Sequence, residues 1–196
     1  LEIKFICLEH EKYNQISKIF KRNNLQMLNL FSSSYIKSLS YINSFNNYKL
    51  VSFLDIGYER STILLFYDKK LFYINSIPIG GNHITKDISN VLNLNNDVAE
   101  KIKKSFNKSE NEFSYDPNIN ENNDFIKNIL GKNISIDILK KVVLARIEEI
   151  FENISKDLII PGDFNHLEKS LLVLIGNGSR LFDKNSFHLD DKFSFK

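Results

Sequence analysis

The hydrophobic pattern is most informative over residues 51–84, where three apolar runs are separated by short polar breaks. The first run ends in Asp55-Ile56-Gly57, and the third closes on Gly80-Gly81. The runs cover 51–57, 63–67 and 71–77, and the breaks cover 58–60 and 68–70. Short apolar runs bounded by turn residues are typical of strands, so we expect a β-meander whose first turn carries a carboxylate and a glycine.

Apolar residues at spacings of three and four predict helices on both sides of the meander. The strongest pattern predicts a helix over Ser135–Asp157, which Pro161-Gly162 ends. Its inward residues are expected to be Ile136, Leu139, Val143, Ile147, Ile150, Ile154 and Leu158. Shorter helices are predicted over 11–23, 32–42, 82–92 and 97–106, and short strands over 3–8, 25–30 and 171–175.

The inward faces of three shorter helices can also be predicted from this spacing. They contain Tyr13, Ile16, Ile19 and Phe20 in the first helix, Tyr35, Leu39 and Ile42 in the second, and Ile84, Ile88, Val91 and Leu92 in the third. The polar segment 107–123 is rich in Asn and Glu and is expected to be an exposed, disordered loop. Together these elements predict an α/β fold.

Composition excludes several classes of protein. The chain has 196 residues, of which 42% are hydrophobic, so it can bury a core as one large domain or two small ones. Its 26 basic residues nearly balance 24 acidic ones, which argues against a nucleic-acid surface. Cys7 is the sole cysteine, so no intrachain disulfide forms, which suits a reducing cytoplasm; we expect Cys7 to fill core. No apolar stretch approaches the roughly 18 residues that span a bilayer.

Two glycine-bearing turns that follow buried strands are the candidate binding elements. One is Asp55 to Gly57, and the other is Gly176-Asn177-Gly178-Ser179. Ligands in open α/β sheets bind where loops leave the strand ends, and Gly lets a backbone approach a phosphate closely. Each turn also has a plain structural interpretation, as a polar hairpin turn and as an ordinary strand-to-helix turn.

Five segments in order along the chain resemble a known family. They are VSFLDIGYERSTILLF, INSIPIGGNHITKDI, VAEKIKKSF, LARIEEIFENISKDL and LLVLIGNGSRL. They resemble the second half of actin-like ATPases, and IPIGGNHITKDI followed by AEKIK is more similar to the bacterial cell-division family FtsA than to actin, MreB or heat-shock chaperones.

The resemblance implies an actin-like, ribonuclease H-like ATPase lobe with a mixed sheet and flanking helices. Residues 47–196 would form the second lobe, with a smaller subdomain at about 80–133. Residues 32–46 would form a connecting helix, and residues 1–31 the end of the FtsA-specific subdomain. The first phosphate loop and the membrane-binding C-terminal amphipathic helix of the family are expected outside this partial chain.

The resemblance also implies the site residues for ATP and Mg²⁺. Asp55 would hold Mg²⁺ through water, and Gly57 and Ser61 would belong to the phosphate motif. Glu100 and Lys103 would contact ribose and adenosine, and the adenosine loop would consist of Gly176, Asn177, Gly178 and Ser179. The alternative for Glu100 is a capping box with Asp97, and the alternative for Lys103 is a solvated position.

The phosphate motif departs from the family pattern at Tyr58-Glu59-Arg60, where two glycines and a threonine are usual. Tyr58 and Glu59 add Cβ atoms where a positive φ is expected. Glu59 would repel phosphate unless it turns outward, and Arg60 could offset its charge. We therefore expect at most a weak ATPase, and no catalytic residue is assigned.

As a function, the resemblance implies an ATP-binding protein that polymerises and tethers the FtsZ ring to the cytoplasmic face of the plasma membrane at the division site. The FtsZ surface would lie in about 80–133. One alternative is a PilM-type actin-like scaffold of a pilus or secretion machine. Another is a degenerate module without nucleotide binding, and a sugar-kinase-type enzyme would need a catalytic acid that this chain does not supply.

Overall fold

The protein is described by a computed structural model, which covers residues 7–106, 136–156 and 170–181. The chain divides into two compact units, residues 1–47 and 48–196. The assignment of 1–31 to a family-specific subdomain stays a prediction. So do the other boundaries named for the lobe, and the predicted loop at 107–123 lies outside the described residues.

The first unit contains two predicted helices, α1 (His10–Arg22) and α2 (Ser33–Ile42). The hydroxyl of Ser32 caps α2 by accepting the N–H of Tyr35 at 3.5 Å. The expected inward faces were partly wrong. Helix α1 buries no residue within the described structure, and α2 turns two serines inward together with Ile42. Small hydroxyl residues can line a buried face when they bond locally, as Ser38 does by donating to the carbonyl of Ser34 at 2.8 Å.

Two predictions in the first unit were wrong. Residues 25–30 form no strand, and Leu25, Leu28 and Leu30 are exposed. A strand needs a hydrogen-bonded neighbour, and none of the strands in the described residues pairs with this segment. Cys7 is exposed rather than in a core. It lies within the predicted strand 3–8, of which residues 3–6 lie outside the described residues.

The second unit is built on a four-stranded mixed sheet, and it confirms the meander. The strands are β1 (Leu50–Ile56), β2 (Ser61–Tyr67), β3 (Lys70–Ile77) and β4 (Ser170–Ile175). Their order is β3-β2-β1-β4, with β1 antiparallel to β2 and parallel to β4. The turn between β2 and β3 is tight because Asp68 and Lys69 take positive φ values of 45° and 66°.

Three helices share one hydrophobic core with the sheet: α3 (Gly81–Val91), α4 (Asn96–Phe106) and α5 (Ile136–Lys156). The core residues of α5 are Leu139, Val143, Ile147, Ile150, Phe151 and Ile154. The periodicity predicts all of these except Phe151, and the side chains of the predicted Ile136 and Leu158 lie outside the description. Leu54 and Ile56 of β1 belong to this core. Because side chains alternate along a strand, Asp55 lies on the opposite face of the sheet.

In helix α3, one residue predicted to face the core is exposed, and one carboxylate pairs with an arginine of α5. Val91 was expected inside but is 55% exposed, because α3 ends there and Leu92 packs against the core instead. The guanidinium of Arg146 on α5 donates to both carboxylate oxygens of Asp87 on α3, at 2.6 and 2.9 Å. This bidentate pair fixes α3 against α5. Among the described helices, none has the length and apolar character needed to cross a membrane.

Candidate functional site

The two glycine-bearing turns meet at one edge of the sheet. Strands β1 and β4 are parallel neighbours with Asp55 opposite Ile175, so their carboxyl ends lie side by side. A Cβ added to Gly176 would lie 2.3 Å from Oδ1 of Asp55 and 2.6 Å from the carbonyl oxygen of Ile56. Gly176 also has a φ of 86°. Only glycine meets both conditions, so the carboxylate of Asp55 lies directly against the loop that follows β4.

The loop after β4 is a short 3₁₀-helix, Asn177–Leu181, that packs on the end of β1. A Cβ on Gly178 would lie 2.3 Å from Cγ2 of Ile56. The hydroxyl of Ser179 donates to the carbonyl of Gly176 at 2.7 Å and closes the first turn of this helix. The left-handed backbone conformation of this loop lies at Gly176, and Asn177 is an exposed residue of the 3₁₀-helix.

The turn after β1 tolerates its large side chains without backbone strain. The N–H of Gly57 donates to the carbonyl of Arg60 at 2.9 Å and closes the turn. Neither Tyr58 nor Glu59 takes a positive φ, so the expected clash of their Cβ atoms with a left-handed backbone does not arise. Both side chains are exposed. Tyr58 and Glu59 therefore add exposed side chains to the turn without requiring a left-handed backbone.

The N-terminus of α3 is hydrogen-bonded to the turn after β1. The N–H groups of Gly81 and Asn82 donate to the carbonyls of Gly57 and Tyr58, at 2.9 and 2.7 Å. These first helical N–H groups have no partner within the helix, so the turn satisfies them. A Cβ on Gly80 would lie 2.7 Å from backbone atoms of Gly57, Tyr58 and Arg60. Gly80 therefore allows the close approach of the two backbones.

Ser61 lies at the start of β2 with its side chain fully buried. Its hydroxyl donates to the carbonyl of Ile79 at 2.7 Å, which ties the strand to the segment that leads into α3. This bond gives Ser61 a structural role within the chain. A contact between Ser61 and a phosphate stays a prediction.

Glu100 and Lys103 of α4 form a compact network with the first turn of α3. Lys103 is 7% exposed, and its Nζ lies 2.6 Å from Oε2 of Glu100. The same ammonium donates to the carbonyl of Gly81 at 2.9 Å and to the hydroxyl of Thr85 at 2.8 Å. Thr85 in turn donates to Oε2 of Glu100. Three acceptors match the three N–H donors of an ammonium group, so Lys103 is fully engaged within the chain.

The charge state of Glu100 follows from this network. Burial raises the pKa of its carboxyl, but hydrogen bonds from Lys103 and Thr85 and the charges of Lys103 and Lys104 outweigh burial, so the pKa lies below its ordinary value. Oε1 of Glu100 faces the ammonium of Lys104 at 3.4 Å. Glu100 therefore presents an ionised carboxylate with one oxygen, Oε2, committed to the network.

The alternative of a capping box at Asp97 was wrong. Helix α4 begins at Asn96, and the side chain of Asn95 caps it by accepting the N–H of Val98 at 2.8 Å. The cap lies two residues earlier than the sequence indicated, because Asn is as good a cap as Asp. The carboxylate of Glu100 is thereby left to join Lys103 and Thr85.

The predicted site residues thus fall into two groups joined by Gly57. Asp55 adjoins the loop Gly176–Ser179, and Gly57, two residues later, is connected through Gly81 to Lys103 and Glu100. Sequence reasoning missed the hydroxyl of Thr85 and the amide of Asn82 as members of the site. A signal existed in the spacing, because Gly81 and Thr85 are four apart on one face of α3. The pairing of α3 with α4 and with the turn is tertiary and has no local pattern.

The donor set fits Mg²⁺ that is held mainly by water and phosphate. The described residues contain no cluster of three or more His, Cys, Asp or Glu side chains that could hold a metal by themselves. Mg²⁺ keeps several waters and takes one or two carboxylates plus phosphate oxygens, so one carboxylate at a strand end suffices. Asp55 lies on that edge, beside a glycine loop whose backbone can approach a nucleotide.

Comparison with known proteins agrees with the resemblance. The family model described as "Cell division protein FtsA" matches residues 52–181, which is more than half of the chain. FtsA of Borreliella burgdorferi is 30% identical over 152 residues, covering 74% of this chain and 35% of that protein. FtsA of Bacillus subtilis is 32% identical over 112 residues, covering 55% of this chain and 24% of that protein. The chain spans about a third or less of these curated relatives.

Solved structures confirm the predicted fold class. MreB 5 of Spiroplasma citri bound to AMPPNP superposes with a TM-score of 0.67 at 15% identity, covering 95% of this chain and 58% of that chain. A PilM–PilN type IV pilus biogenesis complex gives a TM-score of 0.57 at 15% identity, covering 87% of this chain and 42% of that chain. Such identities show the fold alone, which is actin-like with a mixed sheet and flanking helices. With the family match over residues 52–181, the chain belongs to the FtsA family of cell-division proteins.

Proposed function

We propose that this chain supplies one side of an ATP and Mg²⁺ site in a protein that polymerises and tethers the FtsZ ring to the cytoplasmic face of the cell membrane at the septum. One observation carries the nucleotide part of this proposal. The Asp55 turn and the Gly176 loop lie against each other at the ends of two parallel strands, with a separation so small that residue 176 must be glycine. Strand ends of this kind are where nucleotides bind in open α/β sheets.

Each residue has a distinct task in the proposed site. Asp55 holds the hydrated Mg²⁺, which screens the charge of the phosphates when it is bound. The small residues Gly176, Asn177, Gly178 and Ser179 let the backbone lie flat against adenosine. Glu100 offers its Oε1 to the ribose hydroxyls, while Lys103 holds Glu100 in place, because all three donors of Lys103 have acceptors within the chain.

Nucleotide binding is proposed to act as a structural switch rather than as fast chemistry. Phosphates that contact both lobes favour the closed, polymerising shape, since a ligand stabilises the state that it contacts more fully. The turn has Tyr58-Glu59-Arg60 in place of a glycine-rich loop, and the N–H of Gly57 is engaged by Arg60. We therefore propose at most weak hydrolysis of ATP.

The partner surface for FtsZ is proposed to lie within about 80–133, which includes α3 and α4. Residues 107–133 of this surface lie outside the described structure, and no contact residue is assigned. Membrane binding is proposed to come from an amphipathic helix beyond this chain. Nucleic acid is not a proposed partner, because the 26 basic and 24 acidic residues are balanced.

Co-sedimentation with FtsZ tests the tethering function. The full-length protein with Mg-ATP is expected to sediment with FtsZ filaments and, alone, to sediment as its own polymer. A matched sample without nucleotide is expected to give less polymer. Well-folded protein that never sediments with FtsZ would contradict the tether and favour the PilM-type scaffold, whose fold is the same. Protein that sediments equally with and without ATP would favour the module that does not bind nucleotide.

A further inference from the structure

The turn after β1 carries a carboxylate in a place where phosphate binding disfavours one. Glu59 stands where the family pattern has a small residue, and its side chain is exposed. A carboxylate about 4 Å from a phosphate charge in water opposes binding about fivefold per unit of charge. A chain that binds ATP with this turn needs a means of keeping the carboxylate of Glu59 away from the phosphates.

Asn82 holds that carboxylate. Its Nδ2 donates to Oε1 of Glu59 at 2.7 Å, and its backbone N–H donates to the carbonyl of Tyr58 at 2.7 Å. One residue of α3 thus fixes both the backbone and the charged side chain of the turn. The N-terminus of a helix also favours a nearby negative charge, because the aligned peptide dipoles give that end a partial positive charge.

The two carboxylates of the turn are directed to different sides of the sheet. Helix α3 packs in the core that contains Leu54 and Ile56, so Asn82 holds Glu59 towards the helical side. Asp55 lies between Leu54 and Ile56 in the strand, so its side chain points to the opposite face, next to Gly176. The Asp55 side, where Mg²⁺ and phosphates are proposed to bind, is therefore kept free of the second carboxylate.

We propose that Asn82 is a positioning residue that holds the Glu59 carboxylate on the α3 side of the turn and thereby preserves affinity for a nucleoside triphosphate. The inference rests on the proposed nucleotide binding and adds a residue-level determinant to it. In this account Glu59 is harmless while Asn82 is present and becomes repulsive when Asn82 is lost.

Affinity for Mg-ATP and Mg-ADP, measured by calorimetry on the full-length protein, tests the proposal. Asn82→Ala is expected to weaken Mg-ATP about fivefold and Mg-ADP less, because ADP carries less phosphate charge. The double variant Glu59→Gln/Asn82→Ala is expected to return to the wild-type affinity, since the released side chain is then neutral. Asn90→Ala is the matched control, because Asn90 is an exposed residue of the same helix, away from the turn.

The outcomes separate this inference from the function on which it rests. Unchanged affinity in Asn82→Ala overturns the inference, and so does a loss that Glu59→Gln does not rescue, because that loss would come from the backbone bond of Asn82. Thermal unfolding of each variant distinguishes a folded protein from an unfolded one. If wild type and Glu59→Gln both fail to bind either nucleotide, the proposed function fails and the inference fails with it.

Discussion

The two loops that meet at the end of the sheet are held by different forces. The loop after β4 packs so closely that Gly176 and Gly178 have no space for a side chain against Asp55 and Ile56. The turn after β1 is held by hydrogen bonds from the first residues of α3 to Gly57 and Tyr58. Steric exclusion leaves no tolerance for substitution, whereas a hydrogen-bonded turn accepts new side chains. This difference fits the glycines at 176 and 178 in one loop and the large side chains of Tyr58, Glu59 and Arg60 in the other.

The largest expected loss of stability comes from adding a side chain at Gly176. Gly176→Ala is expected to lower the free energy of unfolding by about 3 kcal/mol, because the residue has a left-handed φ and its Cβ would overlap backbone and carboxylate atoms. Denaturant unfolding measures the change. Gly57→Ala is the matched variant in the other loop; its Cβ would lie 3.0 Å from the carbonyl of Arg60, and about 1 kcal/mol is expected. Equal costs at the two positions would contradict the comparison.

A smaller effect is expected where α4 supports the hydrogen-bonded side. Lys103→Met removes the donor shared by Glu100, Gly81 and Thr85 and is expected to cost about 2 kcal/mol in unfolding free energy. Lys104→Met is the control, because the side chain of Lys104 is 72% exposed and its pairing with Glu100 is worth less than about 0.5 kcal/mol. Chemical unfolding of the two variants under the same conditions makes the comparison. If Lys103→Met were as mild as the control, the buried network would not stabilise the fold.

The smallest expected effect is the pH dependence of this same network. The pKa of Glu100 is lowered in the folded protein, so its contribution to stability is present above the ordinary value of 4.5 and is lost as pH falls through the lower, folded pKa. The contribution is expected to stay below about 1 kcal/mol, because the side chain is partly exposed and solvent screens it. Unfolding measured from neutral to acidic pH should show a shallower loss for Glu100→Gln than for wild type. Parallel curves would show that Glu100 gains no ionised-state stabilisation on folding.

The sequence was sufficient for the elements whose signal is local. The meander was predictable because apolar runs of strand length alternate with turn residues, and α5 because its core residues recur at helical spacing. The wrong predictions concern residues whose structure depends on tertiary contacts rather than on the local sequence. Residues 25–30 have strand-like composition but no strand to pair with in the described structure, and Val91 is exposed because the next residue, Leu92, packs against the core instead.

The glycines and acidic residues of the candidate site could be predicted from the sequence, but the residues that position them could not. Asp55 and Gly176 could be placed together because strand ends gather ligands in this class of fold. Thr85 and Asn82 were missed, because each acts through a partner on another element, Glu100 and Glu59 respectively, and the spacing of Gly81 and Thr85 does not indicate that partner. The sequence also could not show that all three N–H donors of Lys103 have acceptors, since two of these acceptors belong to α3.

The affinity of the full-length protein for ATP, with Mg²⁺ and with a chelator in its place, tests the central claim most directly. The claim is that the Asp55 turn and the Gly176 loop form one side of a nucleotide site. Wild type is expected to bind Mg-ATP in the micromolar range, and Asp55→Asn is expected to lose the part of the affinity that depends on Mg²⁺ while remaining folded. Wild-type protein that binds no Mg-ATP, or an Asp55→Asn variant with unchanged Mg²⁺ dependence, would contradict the account.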